Sequence, residues 1–296
     1  MKHWIQAARL RTLPLSVSGI IVGSAYAYYQ GFSDWRIVVL ALLTTLGLQV
    51  LSNYANDYGD GVKGTDANRI GEKRLVAAGV ITAEQMKKAV IITAVLTFII
   101  ALLLIYVAFG KENFALSLIF ILLGIGSIGA AIKYTVGKSA YGYSGFGDVF
   151  VFIFFGLVSV IGSNFLFTHF IDWKLFLPAT SIGLLSVAVL NLNNMRDIEN
   201  DKIAGKNTLV VKMGLENAKK YHSFLVISPF ISILIFSIIT DISFFQMLLV
   251  FLILAKHLKT VKIANKYEDF DPELKKVALS TFALSILFWL TLVFLN

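Results

Sequence analysis

The 296-residue sequence contains no cysteine, which removes disulfides, thiolate metal ligands and cysteine nucleophiles from consideration and leaves the redox compartment open. Its four histidines, His3, His169, His222 and His257, have no paired spacing suited to a zinc site and read as surface residues. The P-loop spacing of glycines ahead of Lys-Ser/Thr is absent as well. Charge is scarce: 15% of residues are charged and 57% hydrophobic, too apolar for an ordinary soluble domain. No low-complexity tract or soluble domain interrupts the pattern.

What is present is a series of apolar runs separated by clusters of charge. Crossing the hydrocarbon core takes about 20 apolar residues per helix, and the chain offers about nine candidates, near 13–29, 37–56, 89–109, 114–132, 146–167, 175–195, 224–240, 242–255 and 277–295. The eighth is short and meets the seventh across Asp241. Lys2, Arg9 and Arg11 ahead of the first run resemble the start of a secretory signal, but the spans that follow favour a retained helix. With the amino terminus inside, all of the 26 Lys and Arg residues except Arg36, Lys111 and Lys174 fall on the cytoplasmic side, as the positive-inside rule requires. The same rule explains the net charge of +8 more simply than a nucleic-acid footprint does, so no nucleic-acid partner is expected. The reading is an all-α, polytopic membrane helical bundle with a cytoplasmic amino terminus and the lipid bilayer as its solvent. It forms a single integral-membrane domain, with function in the long inner loops rather than the short outer ones.

Two polar segments stand out at corresponding places, near 53–66 and 191–201. They suggest pseudo-repeated halves, about 1–140 and 141–296, whose interface holds the site. In the first, helical spacing puts Asn53, Asn56, Asp57 and Asp60 along one face. Asn193, Asn194, Asp197 and Asp201 do the same in the second. Under this topology both clusters sit at helix C-termini, where the macrodipole disfavours negative charge, so a cation must compensate. Salt bridges to Lys63, Arg196 and Lys202 are one answer. The other is a hard divalent cation, since magnesium takes a few carboxylate oxygens and leaves positions for water and phosphate. Gly59, Gly61 and Gly64 let the backbone leave the helix, while Lys63, Arg69, Lys73, Arg74 and Lys206 lie within reach of an anion or simply carry positive-inside charge.

A third stretch on the same side contains Lys133, Lys138, Tyr141 and Tyr143, which either contact a diphosphate or an aromatic acid or act as interfacial anchors. Asp148 opens the next helix, as a cap or as a site residue. A transporter with acids between helical repeats is the competing class. A CDP-alcohol phosphotransferase begins like Asp57-Tyr-Gly-Asp60-Gly61 but requires an Ala-Arg continuation that this chain lacks.

Taken together, Asn56-Asp-Tyr-Gly-Asp60, Gly64-Thr-Asp66, Asn193-Asn-Met-Arg-Asp-Ile-Glu-Asn-Asp201 and Gly205-Lys-Asn-Thr-Leu209 resemble the paired signatures of the UbiA-type intramembrane prenyltransferases. Ala8-Arg-Leu-Arg-Thr-Leu-Pro14 and Tyr141-Gly-Tyr-Ser-Gly-Phe-Gly-Asp148 extend the likeness over nearly the whole chain. Gly64 stands where the superfamily often has a further Asp, and Asp66 follows, which resembles the naphthoate branch rather than the 4-hydroxybenzoate branch. The resemblance implies a nine-helix fold in a bacterial inner membrane with the active site facing the cytoplasm. It also implies transfer of a prenyl group from a polyprenyl diphosphate to an aromatic acid, 1,4-dihydroxy-2-naphthoate, with loss of CO2. It implies Mg2+ held by Asn56, Asp60, Asp66, Asn193, Asp197 and Asp201, with Asp60, Asp197 and Asp201 central to catalysis. Substrate contacts then fall to Asn53, Asp57, Lys63, Arg69, Lys133, Lys138, Tyr141, Asp148, Arg196, Lys206 and Arg11, the last for a substrate carboxylate. Tyr134 and Tyr141 are candidates for stabilising an allylic cation.

Overall fold

The computed structural model describes residues 2–65, 74–137 and 140–295. Among these residues every regular element is helical: α1 (Lys2–Ala8), α2 (Leu13–Tyr29), α3 (Trp35–Lys63), α4 (Ala83–Phe109), α5 (Phe114–Lys133), α6 (Gly147–Val151), α7 (Ser163–Thr168), α8 (Phe176–Arg196), α9 (Ile198–Ile203), α10 (Leu209–Met213), α11 (Leu215–Thr240), α12 (Leu248–Ile263) and α13 (Phe270–Leu295). A wide-turn π-helical stretch, Phe152–Gly162, joins α6 to α7. The composition demands this outcome, because hydrocarbon offers the backbone no partners and a spanning segment must satisfy its own N–H and C=O groups.

Seven helices among the described residues are long and apolar enough to cross a membrane. Of the nine expected runs, the two outside that set are α2, with 17 residues, and α12, with 16, each short of the roughly 20 that a perpendicular crossing takes. Along α4, Ile91, Ile92, Val95, Leu96 and Ile99 are all exposed. In water such a stripe would be an aggregation surface, whereas against lipid tails it costs nothing.

The described chain forms two compact units that do not follow chain order. The first consists of Met1–Leu13, Arg36–Gly147 and Asp197–Lys212, the second of Pro14–Trp35, Asp148–Arg196 and Met213–Asn296. In the first unit α4 and α5 lie side by side. None of the apolar window of α5 is buried, so that helix is an outer wall. In the second, α8 is the central helix, with 67% of its span window buried against α11, α13 and the π-helical stretch. Small residues permit that packing. A Cβ on Gly156 would meet the Ala179 carbonyl oxygen at 2.7 Å and the Gly183 Cα at 2.8 Å, the close backbone approach on which membrane helices rely.

The second unit also corrects one expectation. His222 on α11 and His257 on α12 are fully buried rather than at the surface, and their Nε2 atoms lie 2.7 Å apart. His257 Nδ1 pairs with Glu273 on α13, and Glu273 pairs in turn with Lys276 Nζ at 2.5 Å. The two histidines are 35 residues apart, and no local spacing could have paired them.

Candidate active site

The last three turns of α3, from Asn53 to Lys63, carry the polar residues of the first segment, and the structure gives them different work. Asn53 Nδ2 donates to the Ala8 carbonyl at 2.8 Å and to Thr12 Oγ1 at 3.1 Å, fastening the amino-terminal segment. Asp57 accepts the backbone N–H groups of Leu75 and Val76, one on each oxygen and both at 3.0 Å. That charge-assisted pair ties Leu75 and Val76 to α3. Asn56 Oδ1 and the Ala55 carbonyl each lie 3.1 Å from the Thr135 hydroxyl. A Cβ on Gly59 would sit 3.0 Å from the Thr135 backbone, so this crossing requires glycine. Gly64, at φ 72°, then turns the chain away in the left-handed region that glycine favours.

Asp60 is different. Its carboxylate is buried and surrounded by donors: Tyr143 hydroxyl at 2.7 Å, Lys206 Nζ at 3.1 Å and Arg74 Nη2 at 3.5 Å. Lys206 Nζ also lies 4.0 Å from Asp201 Oδ1, so one ammonium stands between the two acids. Lys63 Nζ donates to the Thr135 carbonyl at 2.8 Å and lies 4.0 Å from the centre of the Tyr143 ring. Lys206 Nζ approaches the same ring at 4.8 Å, so Tyr143 meets both cations through its π-system while its hydroxyl holds Asp60. Thr65 Oγ1 is 3.3 Å from that hydroxyl.

The segment after Asp197 is locked onto this cluster. Asp197 precedes α9 at its N-cap position, and Asp201 N–H closes the first turn on the Asp197 carbonyl at 2.8 Å. Asn200 Nδ2 donates to the Thr65 carbonyl at 2.8 Å. Asn207 N–H reaches the Tyr143 carbonyl at 2.9 Å, and Lys212 Nζ the Ser144 carbonyl at 2.9 Å. Gly205, at φ 69°, makes the turn that presents Lys206.

Other expected site residues lie elsewhere. Tyr141 donates its hydroxyl to the Ala130 carbonyl at 2.9 Å, and burial pushes its phenol above the ordinary value, so it is a fixed neutral donor. Its ring packs edge-on against Tyr134 at 5.3 Å. Lys133 ends α5 and is exposed, as is Arg11. Asn193 and Arg196 belong to the second unit. There Arg196, fully buried, donates Nη2 to Asn193 Oδ1 at 2.7 Å and pairs through Nη1 with Asp271. Asp148, in the same unit, accepts from the Tyr221 hydroxyl at 3.1 Å. Asp66, Arg69, Lys73 and Lys138 lie outside the described residues. Conversely, Tyr143, Arg74, Thr65 and Asn200 have a larger part in the cluster than sequence reading gave them: Arg74 and Tyr143 were expected only as anion or substrate contacts, and Thr65 and Asn200 only as members of the two motifs.

Among the described residues no group of three or more His, Cys, Asp or Glu closes into a cage that would hold a metal by itself. Magnesium does not require one, because it is usually bound by one or two carboxylates plus substrate phosphate and water. Asp60 and Asp201 flank one ammonium, Lys206 Nζ lying 3.1 Å from the first and 4.0 Å from the second.

In this helical membrane protein two buried carboxylates, an amide oxygen and the cations of Lys63, Arg74 and Lys206 are gathered around the end of one helix. The chain belongs to the UbiA prenyltransferase family, whose model matches residues 16–292. It is 49% identical over 236 residues to the 1,4-dihydroxy-2-naphthoate octaprenyltransferase of Escherichia coli, covering 79% of this chain and 76% of that protein. It is 43% identical to the enzyme of the same name from Haemophilus influenzae, over 99% of this chain and 96% of the relative. Solved structures share the fold. A UbiA homolog from Aeropyrum pernix superposes with a TM-score of 0.71 at 13% identity, over 97% of this chain and 98% of that one. A homolog from Archaeoglobus fulgidus bound to DMAPP and Mg2+ does so at 0.60 and 15%, over 96% and 99%.

Proposed function

We propose that this integral membrane protein transfers a polyprenyl group from polyprenyl diphosphate to 1,4-dihydroxy-2-naphthoate with loss of CO2, giving demethylmenaquinol and diphosphate in menaquinone biosynthesis. The observation that carries the reading is the identity to two naphthoate prenyltransferases, one of them matched from end to end, together with the acid–cation cluster on Asp60. In this proposal the chain is one prenyltransferase domain in a bacterial inner membrane, with its amino terminus and site on the cytoplasmic side.

The residues divide the chemistry among themselves. Lys63, Arg74 and Lys206 present positive charge to the diphosphate, and the Tyr143 hydroxyl keeps Asp60 oriented. Asn56, Asp60, Asp197 and Asp201 are the proposed oxygen donors to Mg2+, a choice supported by the metal in the Archaeoglobus homolog. Asn193 and Asp66 join that set by resemblance to the family motifs. When bound, the metal supplies Lewis-acid neutralisation of the charge that develops on the departing diphosphate. Breaking the allylic C–O bond leaves a cation at the prenyl carbon, which electron-rich carbon of the naphthoate captures. A bilayer-embedded bundle keeps the long apolar tail out of water throughout.

Two outcomes check this reading. In parallel assays of purified protein with a polyprenyl diphosphate and Mg2+, 1,4-dihydroxy-2-naphthoate is consumed with stoichiometric CO2 release, in detergent and with no gradient. A preference for 4-hydroxybenzoate would move the chain to another branch, and absence of any turnover would favour the transporter class. Separately, Tyr143→Phe is expected to lower kcat/KM about tenfold, the loss of one charge-assisted hydrogen bond of roughly 1.5 kcal/mol. Tyr141→Phe, whose hydroxyl serves a helix carbonyl, changes it little.

A further inference from the structure

We infer that Lys206 and Arg74 compete with divalent metal for the Asp60 carboxylate, so that this chain takes up its metal only together with a diphosphate. The inference rests on the proposed reading of the site and adds an order of events to it. Asp60 has two oxygens, and both are engaged by cations. Lys206 Nζ sits 3.1 Å from Oδ1 and Arg74 Nη2 3.5 Å from Oδ2. Neither cation is a loosely hydrated surface group, since the Lys206 side chain is 12% exposed and that of Arg74 5%. A third positive charge, Lys63 Nζ, lies 4.0 Å from the centre of the Tyr143 ring whose hydroxyl meets Asp60. A bare divalent ion arriving at Asp60 and Asp201 therefore meets like charge at contact distance, in surroundings that screen it poorly.

A diphosphate reverses that balance. Its oxygens draw lysine and guanidinium groups more strongly than one carboxylate does, because several charge-assisted hydrogen bonds form at once. Lys206 can follow the anion, being a point charge on a flexible four-carbon stem next to the turn at Gly205. Once the cations have moved to the phosphates, each Asp60 oxygen has a lone pair to offer the metal, while the Tyr143 hydroxyl, 2.7 Å from Oδ1 in this structure, keeps the carboxylate oriented. The same lysine and arginine thus act first as gatekeepers on the acid and then as ligands for the anion.

The test measures metal binding rather than turnover. Full-length protein in detergent is titrated with Mn2+, followed by the loss of free-ion paramagnetic resonance signal, with and without inorganic diphosphate. For the wild type, diphosphate should tighten Mn2+ binding by at least about tenfold. For Lys206→Met, Mn2+ alone should bind about tenfold more tightly than to wild type, and the enhancement by diphosphate should shrink. Arg74→Met should shift both quantities in the same direction, and it serves as the independent variant should Lys206→Met fold poorly. If the wild type binds Mn2+ with diphosphate but neither variant gains affinity for Mn2+ alone, the competition is absent and the inference is overturned. If the wild type binds no Mn2+ even with diphosphate present, the reading of the site itself fails.

Discussion

Asp60→Asn is expected to lower kcat/KM by about a thousandfold, close to 4 kcal/mol of transition-state stabilisation, while helix content and elution in detergent stay unchanged. The substitution preserves shape and one acceptor oxygen but removes the charge that Lys206, Arg74 and Tyr143 converge upon. The comparison with Asp57, just under one helical turn away, gives the prediction its force. Both carboxylates are buried on the same helix, yet Asp57 spends its two oxygens on backbone N–H groups. Asp57→Asn should therefore appear in unfolding, at about 1–3 kcal/mol for the hydrogen bond that an amide cannot replace, with kcat within severalfold of wild type. Steady-state kinetics and detergent unfolding on both variants decide the matter. Equal losses of activity would mean that the two acids share one task.

That contrast shows how far the sequence could be read. Spacing alone placed Asn53, Asn56, Asp57 and Asp60 on one face, because a helix repeats every 3.6 residues whatever the acids do. What separates them is a set of partners at residues 8, 74–76, 135, 143 and 206, of which the sequence singled out Arg74, Tyr143 and Lys206 without saying which acid each would meet. Hydropathy fared better, since membrane insertion is itself a local property of about 20 residues, and the long spans were legible as apolar runs. Two of the nine runs, α2 and α12, form the shortest helices of the set, at 17 and 16 residues. Tyr141 and Tyr143 illustrate the same boundary. They are two residues apart in one tight turn, and only the path of that turn sends one hydroxyl to a helix carbonyl and the other to Asp60.

The histidine pair was the clearest miss, and it makes a second large prediction. With Glu273 ionised, His257 Nδ1–H donates to it, so His257 Nε2 carries the lone pair and accepts from His222 Nε2–H. His222 Nδ1 is then a bare acceptor, buried and without a partner among the described residues. The chain Lys276–Glu273–His257–His222 therefore runs from a partly exposed ammonium into the packed centre of α11, α12 and α13, with its polar groups satisfied at every link but the last. His257→Leu breaks it in the middle, leaving His222 with no partner on either nitrogen and Glu273 with only Lys276. The expected cost is about 3 kcal/mol, because a buried network loses more from one missing partner than from removal of the whole. His222→Leu combined with His257→Leu and Glu273→Leu deletes every buried polar group of the chain and frees Lys276 to water, and it should recover most of that loss. Thermal unfolding in detergent of the single and triple variants reads the difference. A triple variant less stable than His257→Leu would show that the network contributes net stability, and that its polar links hold the three helices together better than apolar packing would.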